Sequence, residues 1–376
     1  MAGKISWFWN ERFWLPPNIT WADIRSTDEV RYPALEDLYI VFPYAVLLLI
    51  IRLCFERLIG MPFGRLLGIK QSANRKPEPN TILEKAYNSV THNPDEARLT
   101  GLAKQLDWSE RQVERWFRVR RNYGRPSTLT KFSETSWRFL FYTVASIYGL
   151  MHVPSEPWFW DTKKCWEGFP YHAIEPFMYN YYFMELVFHW CLIMSVLFDI
   201  KRKDFLPNII HHFVTVMLIS FSWVCNFVRI GGLVLTCHDL SDVFLESAKM
   251  AKYANRESLT NVLFAIFAIT FFFSRIVMLP YRIIYSSMVE SHAIVGFFYS
   301  HIFLNGLMCV LQVLHFYWFY LISCMVYSSV VKGKVGKDNR SDDESSGESD
   351  EIVENHLNGS AKKHANNECY ATEKVP

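Results

Sequence analysis

The fold class predicted by the sequence is all-α and polytopic: about seven membrane helices, plus a small polar helical domain on one side. Three observations predict it. Apolar residues make up 51% of the 376 positions and bunch into runs of about twenty, the length needed to span hydrocarbon. Aromatic residues, 16% of the chain, crowd the ends of those runs as interfacial belts do. Between the first run and the rest, residues 61–130 are polar and basic, unlike anything around them. A soluble chain of this length would form about two domains. The net charge of +2 sums segregated blocks and identifies no partner. The eight cysteines are scattered without a CxxC pair, which argues against a disulfide framework or a zinc site. The N-terminus is too polar for a cleaved signal peptide.

In chain order, residues 1–35 form an aromatic-rich segment with a glycosylation sequon at Asn18-Ile19-Thr20. The first membrane helix lies in 36–58, around the run Leu38–Leu53, with Pro43 tolerable near its end. Within 61–130, the stretch Asp107–Asn122 resembles the recognition helix of a homeodomain, preceded by a shorter helix from Thr91 to Leu106. Its first-helix and N-terminal-arm regions look eroded. Val119 stands where such a helix needs Asn to bond adenine, so the reading is against DNA. It favours a cytosolic unit whose Arg-rich helix meets anionic lipid or a partner.

Further spans are expected at Trp137–Val153, Phe177–Phe198, Phe205–Val228, Ile230–Met250 and Leu259–Leu279, with the last inside Ile294–Val330. Together they form a membrane domain over 131–332. Basic residues gather at Arg118–Lys131, Lys201–Lys203, Lys249–Arg256 and Lys332–Lys337, which the positive-inside rule puts on the cytosolic side. The N-terminus is then lumenal, in agreement with the sequon, and the C-terminus cytosolic. Residues 333–376 are disordered by composition. There Ser341, Ser345, Ser346 and Ser349 precede acidic residues and are candidates for phosphorylation.

The stretch Asp199–Lys252 carries the chemistry. A basic cluster, Lys201, Arg202 and Lys203, precedes two hydrophobic segments holding His211, His212, His238, Asp239, Asp242 and Glu246. An ionisable group in a membrane helix costs about 2.5–3.5 kcal/mol even on lenient scales, so six in adjacent spans mark a site. Counting from the cytosolic ends puts His211 and His212 level with Asp242, roughly 10–12 Å deep. His238 and Asp239 come one turn deeper, and Glu246 one turn shallower. Adjacent histidines point about 100° apart, so one occupies the centre. His211, which shares its face with Thr215 and Ser222, is favoured as general base or nucleophile, with His212 as its partner. Asp242, with Asp239, would orient the imidazole and stabilise its positive charge. One HH and one HD fall short of the repeated histidine boxes of membrane hydroxylases, so no metal is expected. Packing glue between helices explains one or two such residues, not six. Glu185, His189 and Arg275 are read as structural pairs or lining.

The run from Asp199-Ile200-Lys201-Arg202-Lys203-Asp204-Phe205 through His211-His212, Arg229, His238-Asp239, Asp242 and Leu245-Glu246 resembles the Lag-type motif of ceramide synthases. It sits inside what resembles their TLC membrane domain, six helices around an internal lipid tunnel. The N-terminal FWNERFWLPPNITWAD and the partial homeodomain extend the likeness over nearly the whole chain, in particular to vertebrate synthases favouring long acyl chains such as palmitoyl. The resemblance implies N-acylation of sphinganine or sphingosine by acyl-CoA in the endoplasmic reticulum, with both adjacent histidines needed. It implies no cofactor, acyl-CoA being a substrate, and allows a homodimer or a heterodimer with related synthases. Lys201, Arg202 and Lys203 would hold the polyanionic CoA at the mouth, with Thr215, Arg229 and Glu246 as further substrate contacts. Chain-length choice is associated with the loop between the last two spans, here Tyr281, Arg282, Ile283, Ile284, Tyr285, Ser286, Ser287, Met288, Val289, Glu290 and Ser291. The rival reading is a non-catalytic protein of the same fold that senses or handles lipid. It would need no basic mouth aligned with a histidine–carboxylate site.

Overall fold

A computed structural model of the chain describes residues 8–71, 76–124, 126–196 and 205–332. Every regular element among them is helical. They form two compact units, one within residues 1–71 and 128–338, the other within 72–127.

The larger unit is built on seven long helices among the described residues: α1 (Asp37–Leu66), α2 (Thr128–His152), α3 (Pro176–Val196), α4 (Phe205–Val224), α5 (Val228–Tyr253), α6 (Glu257–Val295) and α7 (Tyr299–Lys332). By length and composition, α1, α4, α6 and α7 can cross a membrane. The other three have the length but a more polar composition. α2 carries Lys131, Glu134 and Arg138, α3 opens on a tyrosine-rich turn and holds Glu185, and α5 bears the His–carboxylate series. The difference follows burial. In the four apolar helices at most 28% of the qualifying window is buried. By contrast α3 and α5 each bury about half or nearly half their length, including Glu185, Asp239 and Glu246. Helices shielded by neighbours can carry polar groups that a lipid-facing helix cannot.

Two helices widen locally. In α1 the chain makes a π-helical turn at Glu56–Gly60, where the Glu56 carbonyl accepts both from the Met61 N–H and, at 2.7 Å, from Ser133 Oγ of α2. Gly60 permits that approach, since a Cβ there would lie 2.3 Å from Ser133 Oγ. In α6 the chain runs in π-helical turns over Phe272–Ile284 and Ser286–Glu290 before a closing α-turn at Ser291–Val295. Pro280 lies inside this stretch and has no N–H to donate, so the regular i→i−4 ladder is broken there. The residues expected to form a loop, 281–291, are therefore helical. The connection to α7 is only 296–298. Ser286, Ser287 and Ser291 face inward, where Ser286 Oγ accepts from Trp166 Nε1 at 3.0 Å and Ser291 bonds His301 at 2.5 Å.

At the end of the bundle near Trp166, the N-terminal segment closes over α4 and α7. Trp14 stacks on Phe221 at 4.9 Å, and its carbonyl accepts from Ser300 Oγ at 2.9 Å. The turn between α4 and α5 holds Asn226 in the left-handed region (φ 58), where its amide donates to the Pro170 and His172 carbonyls.

The smaller unit has three helices, Thr81–Ser89, Glu96–Leu106 and Glu110–Asn122. Side chains of Asn80, Asp95 and Ser109 cap them, the last in a capping box with Gln112. Their core is Leu83, Ala103, Val113, Trp116 and Phe117. The first helix is thus present although its sequence looked eroded, and the second starts at Glu96, not Thr91. Two arginines of the third helix serve the fold: Arg120 pairs with Glu84 at 2.8 Å, and Arg121 donates to the His92 carbonyl at 2.9 Å.

Candidate active site

His211 and His212 lie near the start of α4, about two turns from Phe205. Their Nδ1 atoms and Thr215 Oγ1 are buried without a hydrogen-bond partner. The two rings are 5.5 Å apart, and His211 meets the edge of Trp318 on α7 at 5.2 Å. Position 211 therefore faces the helix bundle. Its charge neighbours are His212, Arg275, His189 and His238.

On α5 the carboxylates are committed, and not to His211. Asp242 pairs with Arg275 of α6 at 2.8 Å, and the same guanidinium donates to the His238 carbonyl at 3.0 Å. Asp239 accepts from Tyr181 of α3 at 2.5 Å. Glu246 is bridged by Lys249 at 2.7 Å and Arg138 of α2 at 3.5 Å. The expectation that Asp242 and Asp239 hold an imidazole is corrected on this geometry. A buried carboxylate is held best by a charged partner, and Arg275 is the nearer one for Asp242. Glu246 likewise joins an ion-pair group bridging α5 and α2. His238 is fixed through its Nδ1, which donates to the Val234 carbonyl at 2.6 Å because a carbonyl only accepts. Its Nε2 is buried and unpartnered.

Three residues that sequence reading undervalued complete the group. Arg275 is 5% exposed and joins α6 to α5, and Gln312 of α7 donates to its carbonyl at 3.1 Å. Tyr181 donates the hydrogen bond that holds Asp239. His315 of α7 is fully buried, 5.0 Å from the His238 ring. A lone histidine in the apolar run LMCVLQVLHFYWFYLIS was its visible signal.

One turn beyond His238, a small apolar cavity of about 40 Å³ opens among α4, α5, α6 and α7, lined in part by Leu218, Ser222, Val234, Ser287, Leu304 and Met308. Gly231 is required on its wall, since a Cβ there would overlap Tyr182 Oη at 1.6 Å. Of the segment 281–291, Ser287 lines the cavity, while Glu290 accepts from Thr162 Oγ1 at 2.7 Å. Tyr281, Tyr285, Met288 and Val289 point outward. Arg282 donates to the Phe159 carbonyl, and Ile283 and Ile284 pack inside. Arg229 is not near the histidines. It lies thirteen residues before Asp242, about 20 Å along the helix, and donates to the Lys164 carbonyl at 2.8 Å. Among the described residues, no group of three His, Cys, Asp or Glu side chains could hold a metal ion. Lys201, Arg202, Lys203, Ser341, Ser345, Ser346 and Ser349 lie outside the described residues.

The family profile described as TLC domain matches residues 131–324 and so contains every one of these contacts. Ceramide synthase 5 of Homo sapiens is 46% identical over 92% of this chain and 89% of that protein. The chain belongs to the ceramide synthase family. Ceramide synthase 4 of Homo sapiens is 44% identical over 92% of the chain and 88% of its own length. Ceramide synthase hyl-1 of Caenorhabditis elegans is 29% identical over 90% and 84%. A homeodomain profile matches residues 73–125, the segment containing the three short helices. With four helices long and apolar enough to cross a membrane, this member of the family is a multi-pass membrane protein.

Proposed function

We propose that the chain transfers a fatty acyl group from acyl-CoA to the amine of sphinganine or sphingosine, giving dihydroceramide or ceramide. The observation that carries the reading is a buried histidine pair with unpartnered ring nitrogens above an apolar cavity, inside a chain closely related to ceramide synthases. Ligand sites for apolar chains are lined mostly by hydrophobic side chains, and the lining of this cavity suits an acyl tail whose thioester stops at His211. The neutral His211 imidazole then attacks the thioester carbonyl, the C–S bond breaks, and coenzyme A leaves as its thiol. The resulting acyl-imidazole passes its acyl group to the amine and regains a free ring. This order spares the enzyme from holding two long lipids in one tunnel. It calls on no cofactor. The alternative is a direct attack with His211 as general base.

Acyl-CoA alone is expected to load the His211 peptide with an acyl mass; no adduct together with sequential kinetics would select the direct route. Purified protein given sphinganine and a panel of acyl-CoAs should make N-acyl product. Failure with every chain length would leave the lipid-sensing alternative.

A preference for long chains such as palmitoyl would be set at the end of the cavity away from the histidines, where Leu304 stands. Leu304→Phe is expected to shorten it and to lower the ratio of palmitoyl to myristoyl product by about tenfold or more. An unchanged product profile, measured by mass spectrometry with mixed acyl-CoAs, would count against this cavity as the acyl chamber.

We also propose the endoplasmic reticulum as the location, seven crossings, a lumenal N-terminus and a cytosolic C-terminus. Asn18 is exposed in a turn, and the backbone N–H and hydroxyl of Thr20 both bond Asp23, each at 2.8 Å. Expression in mammalian cells should give a form that shifts down on endoglycosidase treatment, and Asn18→Gln should remove the shift. A shift persisting in that variant would overturn the lumenal assignment of this sequon.

A further inference from the structure

His315 has no role in the transfer as derived so far, yet its surroundings are unusual. It is 0% exposed, and neither ring nitrogen has a hydrogen-bond partner. A neutral imidazole brings one donor and one acceptor, and leaving both unmade in a buried site is costly. Ordinary packing does not require it: Phe271 lies 6.0 Å away and Trp318 6.3 Å, contacts that a leucine would also serve. The nearest ring is that of His238, at 5.0 Å. Its Nδ1–H is spent on Val234, so in the neutral ring Nε2 carries the lone pair, buried and unpartnered like both nitrogens of His315. Arg275 Nε is a further orphan in the same group. Through Trp318, which meets both His315 and His211, this pair sits beside the acyl-transfer histidine and not on it.

We propose that His238 and His315 form the receiving site for the amino-alcohol head of the long-chain base, separate from His211. The proposal rests on the N-acyltransferase reading above and deepens it. His238 Nε2 accepts a proton from the ammonium, whose N–H bonding pair becomes the lone pair that attacks the acyl carbon. His315 holds the head with one ring nitrogen donating to a hydroxyl and the other accepting from the amine. Over the whole transfer the N–C bond forms and the C–S bond breaks. Of the two protons the ammonium loses, one ends on the CoA sulfur and one leaves through His238.

The test varies each substrate separately, with sphinganine and palmitoyl-CoA as the probes and the full chain in detergent. His315→Asn should lower kcat/KM for sphinganine by about 100-fold, while kcat/KM for palmitoyl-CoA stays within about twofold. His315→Gln, which keeps a donor and an acceptor, should recover part of the loss that His315→Leu suffers. Equal falls for both substrates, or a fall that follows the melting temperature across the three variants, would make His315 a packing residue and overturn the proposal. So would full activity in all three. If the wild-type chain makes no N-acyl product, it is the transferase reading that fails. If the wild type is active and the sphinganine-selective loss is missing, only the His315 assignment fails.

Discussion

His211→Ala is expected to remove N-acyl transfer, by a factor of at least about 10³, and to leave the protein folded. The ring Nδ1 makes no hydrogen bond, so truncation orphans no partner; what is lost structurally is one edge contact with Trp318. His212→Ala should also impair transfer, since its Nδ1 is equally unpartnered and its ring adjoins His211. Microsomal conversion of sphinganine with palmitoyl-CoA, normalised to folded protein, is the measurement. Activity surviving both substitutions would mean that the chemistry lies elsewhere in the bundle.

Arg275→Met is expected to damage stability more than any other single change near the site. It strands Asp242, whose side chain is 18% exposed, without its 2.8 Å partner, and unties α6 from the His238 carbonyl. Removing one member of a buried pair costs about 3–5 kcal/mol, because the other charge remains buried. Asp242→Asn on the same background should return much of that loss, since the pair couples as a unit. Thermal melts in detergent across the four-member cycle test this. A single Arg275→Met variant as stable as wild type would show that Asp242 finds other solvation.

These two residues mark how far the sequence could be read. Apolar runs, aromatic belts and the crowding of His211, His212, His238, Asp239 and Asp242 were visible because they depend on composition and on spacing within one helix. Pairings across helices were not. Arg275 is thirty-three positions from Asp242 and Tyr181 fifty-eight from Asp239, and no local pattern encodes either distance. Asp242 therefore looked available to an imidazole when it was already held. The family resemblance placed 281–291 in a loop, whereas here the segment is helical, with Ser286 bonded to Trp166 and Ser291 to His301. In the smaller unit the eroded first helix still forms, as Leu83 reaches the shared core and Asn80 caps its start.

The wide turns of α6 have a bearing on how the bundle tolerates single-residue insertions and deletions. A π-helical turn holds about one residue more than an α-turn, so loss of one residue between Arg275 and Ile284 is absorbed by tightening toward α geometry. Arg275 keeps its place on Asp242, and Ser287, beyond the deletion, keeps its place on the cavity wall. The stretch thus works as a length reserve, in which a residue can be gained or lost while both the cavity wall and the reacting groups stay in register.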